Sequence, residues 1–263
     1  MRIALCQIAS TEDPQENLRL VDDGVRRAAA SGARLAVFPE ATMARFGIPL
    51  SPVAEPLDGP WATEVRRIAA EHGVAVVAGM FTPTADGRVT NTLLVTGEGL
   101  DTSYDKIHLY DAFGFSESRT VAPGEQPVTV ELDGTTIGIT TCYDIRFPGL
   151  FQALGDRGAS VIVIAASWGA GEGKRDQWEL LARARALDST SWIAACGQAD
   201  PRSVGREPSR KAPTGIGYST VVSPLGQIRE QLADSPDVLV AEVDAGEAEQ
   251  ARQTVPVLAN RRY

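Results

Sequence analysis

The chain has three cysteines, two histidines and no apolar run near the length of a membrane span. Three thiols, Cys6, Cys142 and Cys196, cannot all pair, and none stands in the CxxC spacing of a zinc or redox site. Reduced thiols in a cytoplasmic protein are therefore expected, with no disulfide framework. Two histidines, His72 and His108, are too few for a metal centre. A spanning helix needs roughly 20 consecutive apolar residues, and no segment approaches that. The N-terminal MRIALCQIAS turns polar after a short apolar stretch, which predicts a first buried strand rather than a signal peptide. Positive charge is scarce: 25 Lys and Arg face 34 Asp and Glu, for a net charge of −9. That balance argues against nucleic acid or an anionic membrane as partner, because phosphates need clustered cations. There is no GxSxG elbow for a nucleophilic serine. GAGEGKR, residues 169–175, has too few residues between Gly169 and Gly173 for a phosphate loop, and Arg175 stands where Ser or Thr is required.

What is present alternates between helical and strand periodicity. Ile3, Leu5 and Ile8 predict a strand, after which Asp13-Pro14-Gln15-Glu16 supplies an N-cap, a first-turn proline and a capping-box acid. Leu18, Val21, Val25 and Ala28 share one helix face, and Gly32 suits a left-handed helix end. Residues 35–38 read as a short buried strand, 60–72 as a helix, and 74–79, 90–96 and 100–105 as strands. Asp133-Gly134 is a two-residue hairpin signal, and Pro224-Leu225-Gly226 predicts a second hairpin between 216–223 and 227–232. A helix at 148–157, a strand at 159–167, a helix at 175–188 and a strand at 191–199 repeat the earlier order. Residues 200–215 read as a surface loop. Helices alternating with strands, together with hairpins, predict an α/β fold with mixed rather than purely parallel sheets.

Three strand exits carry chemistry. Cys142 ends the apolar run before GITTCYDIRFPGL gives way to polar residues, Glu40 closes the strand in FPEATM, and Lys106 leaves another in YDKIHLYD. A thiol, a carboxylate and an ammonium are the parts of a hydrolase, although each has a plain alternative. Cys142 alone could be a structural thiol, Glu40 a cap and Lys106 half of a surface ion pair. Glu117 lies in FGFSESRTVAPGE, where Phe113 and Phe115 could wall a cleft; alone it reads as a solvated acid. Cys6 and Cys196 sit inside apolar strands and read as structural. His108 reads either as support for Lys106 or as a core hydrogen-bonding residue.

Together FPEATM, YDKIHLYD, the FSES loop and TCYDIRFPGL resemble the signatures of the nitrilase, or carbon–nitrogen hydrolase, superfamily. WELLARARALDSTSWIAACGQ, GIGYSTVVSPLG and VPVLANRR resemble its later blocks, so residues 1–263 are expected to form a single domain of that kind. The resemblance implies a four-layer α-β-β-α sandwich of two mixed β-sheets flanked by helices. It also implies a Glu-Lys-Cys triad at Glu40, Lys106 and Cys142, with Glu117 as the second glutamate. The implied activity is cysteine-dependent hydrolysis of a non-peptide C–N bond in a small carboxamide, through a thioester, without cofactor or metal. In that mechanism the Tyr143 N–H assists Lys106 at the oxyanion. A homodimer or larger homo-oligomer, joined through the outer helical layer, is likewise implied. Tyr143-Asp144 with Arg146-Phe147-Pro148 resembles the amidase branch that includes ω-amidases and deaminated-glutathione amidases rather than true nitrilases. The substrate expected from that branch is an ω-amide of an oxo-acid. An N-carbamoyl-amide hydrolase, a nitrilase and an inactive binding scaffold are the alternatives. Gly149 and Gln177 depart from the branch, where Glu and His are frequent, and Trp168 is expected to face the pocket.

Overall fold

The computed structural model describes residues 1–112, 114–209 and 212–262. In chain order the first half contains β1 (Arg2–Gln7), α1 (Pro14–Ala30), β2 (Leu35–Val37), α2 (Pro60–His72), β3 (Ala75–Pro83), β4 (Val89–Gly97), β5 (Leu100–Asp105) and β6 (Val121–Ala122). The second contains β7 (Val128–Leu132), β8 (Thr135–Thr141), α3 (Pro148–Asp156), β9 (Val161–Ala166), α4 (Lys174–Ser189), β10 (Trp192–Gly197), β11 (Thr220–Val222) and β12 (Ile228–Gln231). β13 (Asp237–Glu242) and α5 (Ala245–Thr254) complete it.

Among the described residues these strands form two sheets. One runs β13-β1-β2-β3-β4-β5 with β6 against β4, and the other runs β12-β11-β10-β9-β8-β7. Each has a parallel centre, β1-β2-β3 or β8-β9-β10, flanked by antiparallel strands. The period-2 alternation of strand side chains then builds the layers. Ile3, Leu5, Val37 and Val77 point inward against Ile139, Val161 and Val163 of the other sheet. Ala4, Cys6, Ala36 and Val76 point outward beneath Leu18, Val21 and Val25 of α1 and Val65 and Ile68 of α2. On the far side Ile162, Ile164 and Ala195 meet Phe151 and Leu154 of α3 and Trp178 and Ala182 of α4. The result is the α-β-β-α sandwich. Each fully buried aliphatic side chain contributes about 1.5–3 kcal/mol to holding it together.

Local signals act largely as read. Asp13 Oδ1 accepts the Gln15 N–H at 2.8 Å to start α1, and Gly32 follows its end with φ of 71°. The capping box is a correction: the Asp13 N–H donates to Thr11 Oγ1 at 3.2 Å, the place expected for Glu16. Asp133 and Gly134 turn the β7-β8 hairpin with φ of 49° and 72°, the primed turn that matches strand twist. The strand expected at 216–223 shortens to Thr220–Val222, because Gly215, Gly217 and Tyr218 hold left-handed backbone just before it. The strand expected at 74–79 instead runs to Pro83, paired with β4 from Val76 onward. No helix among the described residues is long and apolar enough to cross a membrane.

Candidate active site

The cysteine turn is built at the end of β8. The chain passes through Cys142 at φ of 44° into a 3₁₀ turn over Cys142–Arg146. Left-handed backbone is uncommon for a residue with a Cβ and persists only where its surroundings over-determine it. Here the buried Asp144 carboxylate does so. Its Oδ2 accepts the Thr141 N–H at 2.9 Å and the Tyr104 hydroxyl at 2.6 Å. Its Oδ1 accepts the His108 N–H at 3.0 Å, and His108 Nδ1 lies 2.8 Å from it. Burial, and then the Asp144 charge, push the Tyr104 phenol well up, so it stays a donor. Asp144 thus fastens the cysteine turn to the segment that carries Lys106. His108 serves Asp144 rather than Lys106 and stacks on Phe147 at 3.7 Å.

Glu40 arrives from the first sheet. The Phe38 N–H continues β2 onto Val77 O at 2.8 Å, and the Met43 N–H reaches Gly79 O at 2.8 Å, so the Glu40 turn lies flat on β3. Only glycine permits this approach: a Cβ at Gly79 would stand 2.6 Å from Ala41 N and 2.8 Å from Pro39 O. From β10's exit in the second sheet, Gln198 Nε2 supports the same turn through Glu40 O at 3.2 Å and Ala41 O at 3.3 Å. The Glu40 carboxylate is fully buried and fully engaged. Its Oε1 accepts from Lys106 Nζ at 3.0 Å and Asn91 Nδ2 at 2.7 Å, and its Oε2 accepts the Ser167 N–H at 2.9 Å.

Lys106 follows β5. Its N–H donates to Asn91 O at 2.9 Å and its carbonyl accepts the Gly124 N–H at 2.8 Å. The ammonium, 2% exposed, also donates to Glu117 Oε1 at 3.1 Å and Oε2 at 2.9 Å. Glu117, expected as a loop acid, is buried at the start of a 3₁₀ turn, and its Oε2 takes the Tyr110 N–H at 2.6 Å. Burial opposes the Lys106 charge, but the Glu40 and Glu117 charges outweigh it and push its pKa well up, so it remains an ammonium. Cys142 is displaced in the same direction. Burial first, then the Glu40 charge, raise the thiol well above its ordinary value against the pull of Lys106. The resting sulfur is a thiol, and its Sγ faces Ser167 O at 3.9 Å.

Glu40, Lys106, Glu117 and Cys142 line one cleft, and Trp168 lines it too. Phe46, Tyr110, Phe115 and Tyr143 make its walls aromatic. Phe113 lies outside the described residues. Arg146 and Lys174 add two cations that the sequence reading did not assign to the cleft. Arg146 Nη2 donates to Gln177 Oε1 at 2.7 Å, and its guanidinium lies 5.2 Å from the Trp168 ring centre. This gives the unusual Gln177 a role in holding Arg146, whereas a Cβ at Gly149 would meet open space. Asn91 was also missed; the signal for it was a carboxamide amid apolar neighbours in the predicted strand 90–96. Among the described residues no group of three or more His, Cys, Asp or Glu is arranged to hold a metal ion.

The buried thiols carry a consequence for stability. Cys6, Cys142 and Cys196 are all raised above the ordinary value of 9.0, chiefly by burial. The folded state therefore keeps protons that the unfolded chain releases above that pH. Their contribution is fully present below 9.0 and is lost as pH rises from there through the raised folded values. Thermal midpoints are expected to fall from about pH 9 upward, and Cys196→Ala should make that slope shallower. An unchanged slope would remove the thiols as its cause.

The chain matches the family described as Carbon-nitrogen hydrolase over residues 2–253. It is 58% identical over 267 residues to "Hydrolase Rv0480c" of Mycobacterium tuberculosis, covering 99% of this chain and 95% of that protein. It is 32% identical over 268 residues to the deaminated glutathione amidase of Escherichia coli, covering 100% of this chain and 98% of that protein. Among solved structures, a mutant amidase from Nesterenkonia sp. AN1 superposes with a TM-score of 0.81 at 27% identity, covering 100% of this chain and 94% of that one. That structure carries the acetamide moiety of fluoroacetamide added covalently at its active-site cysteine.

Proposed function

This chain belongs to the carbon–nitrogen hydrolase family and is a hydrolase of non-peptide C–N bonds, and from that premise we propose that Cys142 is its nucleophile toward a small carboxamide. The observation that carries this reading is the Lys106 ammonium held between Glu40 and Glu117 in the cleft that also exposes Cys142. A resting thiol is a weak nucleophile, so its proton must leave as sulfur attacks, and Glu40 is the acceptor. The tetrahedral oxyanion is met by Lys106 and the Tyr143 N–H, two donors in a site that excludes most water. Glu40 then returns the proton to the departing nitrogen, which leaves as ammonia, and an acyl thioester remains on Cys142. Water, deprotonated by Glu40, attacks that thioester and releases a carboxylic acid and the thiol. Glu117 holds Lys106 in place through both carboxylate oxygens.

The far end of the substrate carries a carboxylate, as in an ω-amide of an oxo-acid. Arg146 and Lys174 line the cleft, and Lys174 is lowered by burial and by repulsion from Arg146. An anion between them relieves that repulsion. The named activity of the similar E. coli amidase fits a small amide with acid groups. The test is an ammonia-release screen over ω-amides of oxo-acids, uncharged aliphatic amides, N-carbamoyl amino acids and nitriles. The carboxylate-bearing amides are expected to exceed uncharged ones by roughly 10- to 100-fold in kcat/KM, and Arg146→Ala should erase most of that preference. Equal rates on charged and uncharged amides would sink this substrate class. Carbon dioxide released with ammonia would assign the carbamoyl reaction instead.

A further inference from the structure

We infer that Asn91 is a positioning residue that sets the geometry and protonation of the Glu40–Lys106–Glu117 cluster. The inference rests on the catalytic reading above and adds a member that neither touches substrate nor titrates. Asn91 sits in β4, opposite Phe81 of β3, and is fully buried. It contacts all three residues, Lys106 through the backbone and the two acids through their carboxylates. Its carbonyl takes the Lys106 N–H at 2.9 Å and so fixes where the lysine leaves its strand. Its Nδ2 donates to Glu40 Oε1 at 2.7 Å and to Glu117 Oε1 at 3.3 Å.

A carboxamide is suited to this place on chemical grounds. Lys106 supplies one positive charge against two carboxylates, so further donors aimed at the carboxylates favour their ionised forms without adding a second cation. The orientation of the amide is fixed by the same logic, because the flipped form would turn its oxygen toward two carboxylates. In the orientation found, Oδ1 is buried with no hydrogen-bond partner among the described residues. A fold usually avoids such an orphan, and this one persists on the far side of the only arrangement that aims both N–H bonds at acids. Packing alone would be met equally well by leucine, which has nearly the same shape and no orphaned atom.

The experiment reads the cluster through the thiol. Cys142 of the wild-type protein, Asn91→Leu and Asn91→Asp is alkylated with iodoacetamide across pH, with modification at Cys142 followed by peptide mass. Thermal midpoints are measured alongside. Without the Asn91 donor the neighbouring carboxylates favour their protonated forms and no longer oppose the thiolate, so the rising limb of alkylation moves to lower pH while amide hydrolysis, which needs the ionised acid, slows. Asn91→Asp, isosteric but a third acid, is expected to move the limb to higher pH instead and to slow alkylation near neutrality. On any amide that the wild type hydrolyses, Asn91→Leu should lower kcat by roughly 10- to 100-fold with KM little changed. A folded Asn91→Leu protein with the wild-type rate and pH midpoint would overturn the inference. So would a slower variant whose pH midpoint has not moved, since that is a packing defect. Should Asn91→Leu fail to fold, Asn91→Asp alone decides: wild-type alkylation in it excludes the role. A wild-type Cys142 that resists alkylation removes the nucleophile itself, a failure distinct from that of Asn91.

Discussion

Cys142→Ala is expected to fold, and its ammonia release should fall by at least roughly 10⁴-fold, to background for most amides. The structural cost is small. The substitution removes one sulfur from a side chain whose Sγ makes a long contact with Ser167 O at 3.9 Å, and it leaves a cavity costing about 1 kcal/mol. The left-handed backbone at residue 142 is as demanding for alanine as for cysteine, so the turn held by Asp144 is retained. The chemical cost is large, because Lys106 is held protonated and the Glu40 carboxylate is occupied by three donors, which leaves neither free to take the place of the sulfur. Intact-mass analysis of the wild type with a slow amide should show the acyl mass on the peptide containing Cys142, and the variant should show none. Substantial turnover by the folded variant, or an adduct on Cys6 or Cys196, would falsify the assignment.

Lys106→Met is expected to damage both activity and stability, by separable amounts. The loss of an oxyanion donor lowers kcat by roughly 10²- to 10³-fold. Independently, Glu40 and Glu117 are left in a buried site with Asn91 as their shared donor and no counter-charge, which destabilises the fold by about 3–5 kcal/mol. Glu117→Gln added to Lys106→Met removes one of the two charges, so it should restore part of the stability in urea unfolding while restoring no activity. If Lys106→Met unfolds at the wild-type urea concentration, the ion pairs seen at 3.0 Å and 2.9 Å are not coupled to folding.

The layers of the sandwich were readable because strand and helix periodicities are strong where both faces are buried. Ile3, Leu5 and the run 159–167 carry that signal plainly. The antiparallel closure of β13 on β1 was not anticipated: β13 exposes Asp237 and Glu242 at its ends and buries few side chains. The α5 helix was equally silent, since Ala248 and Ala251 are its only buried residues. In the cleft, Glu40, Lys106 and Cys142 announced themselves as charged or reactive groups at strand exits. The support did not. Asn91, Gly79 and Gln198 act through distances between segments far apart in sequence, and their local context gives no hint of the partner. Arg146 and Lys174 share one cleft only because two separate loops meet there.

Glu40, Lys106 and Glu117 leave the first sheet and Cys142 and Ser167 the second, so the bond from the Ser167 N–H to Glu40 Oε2 at 2.9 Å crosses the seam between them. Neither sheet therefore holds every group of the proposed centre. The first sheet carries an acid and an ammonium with no thiol of its own, and the second brings a thiol with no base of its own. On the proposed mechanism, reactivity therefore requires the two sheets to be closed on one another. On that reading a molecule whose sheets have parted has its thiol separated from its base, and loses chemistry before it loses its secondary structure.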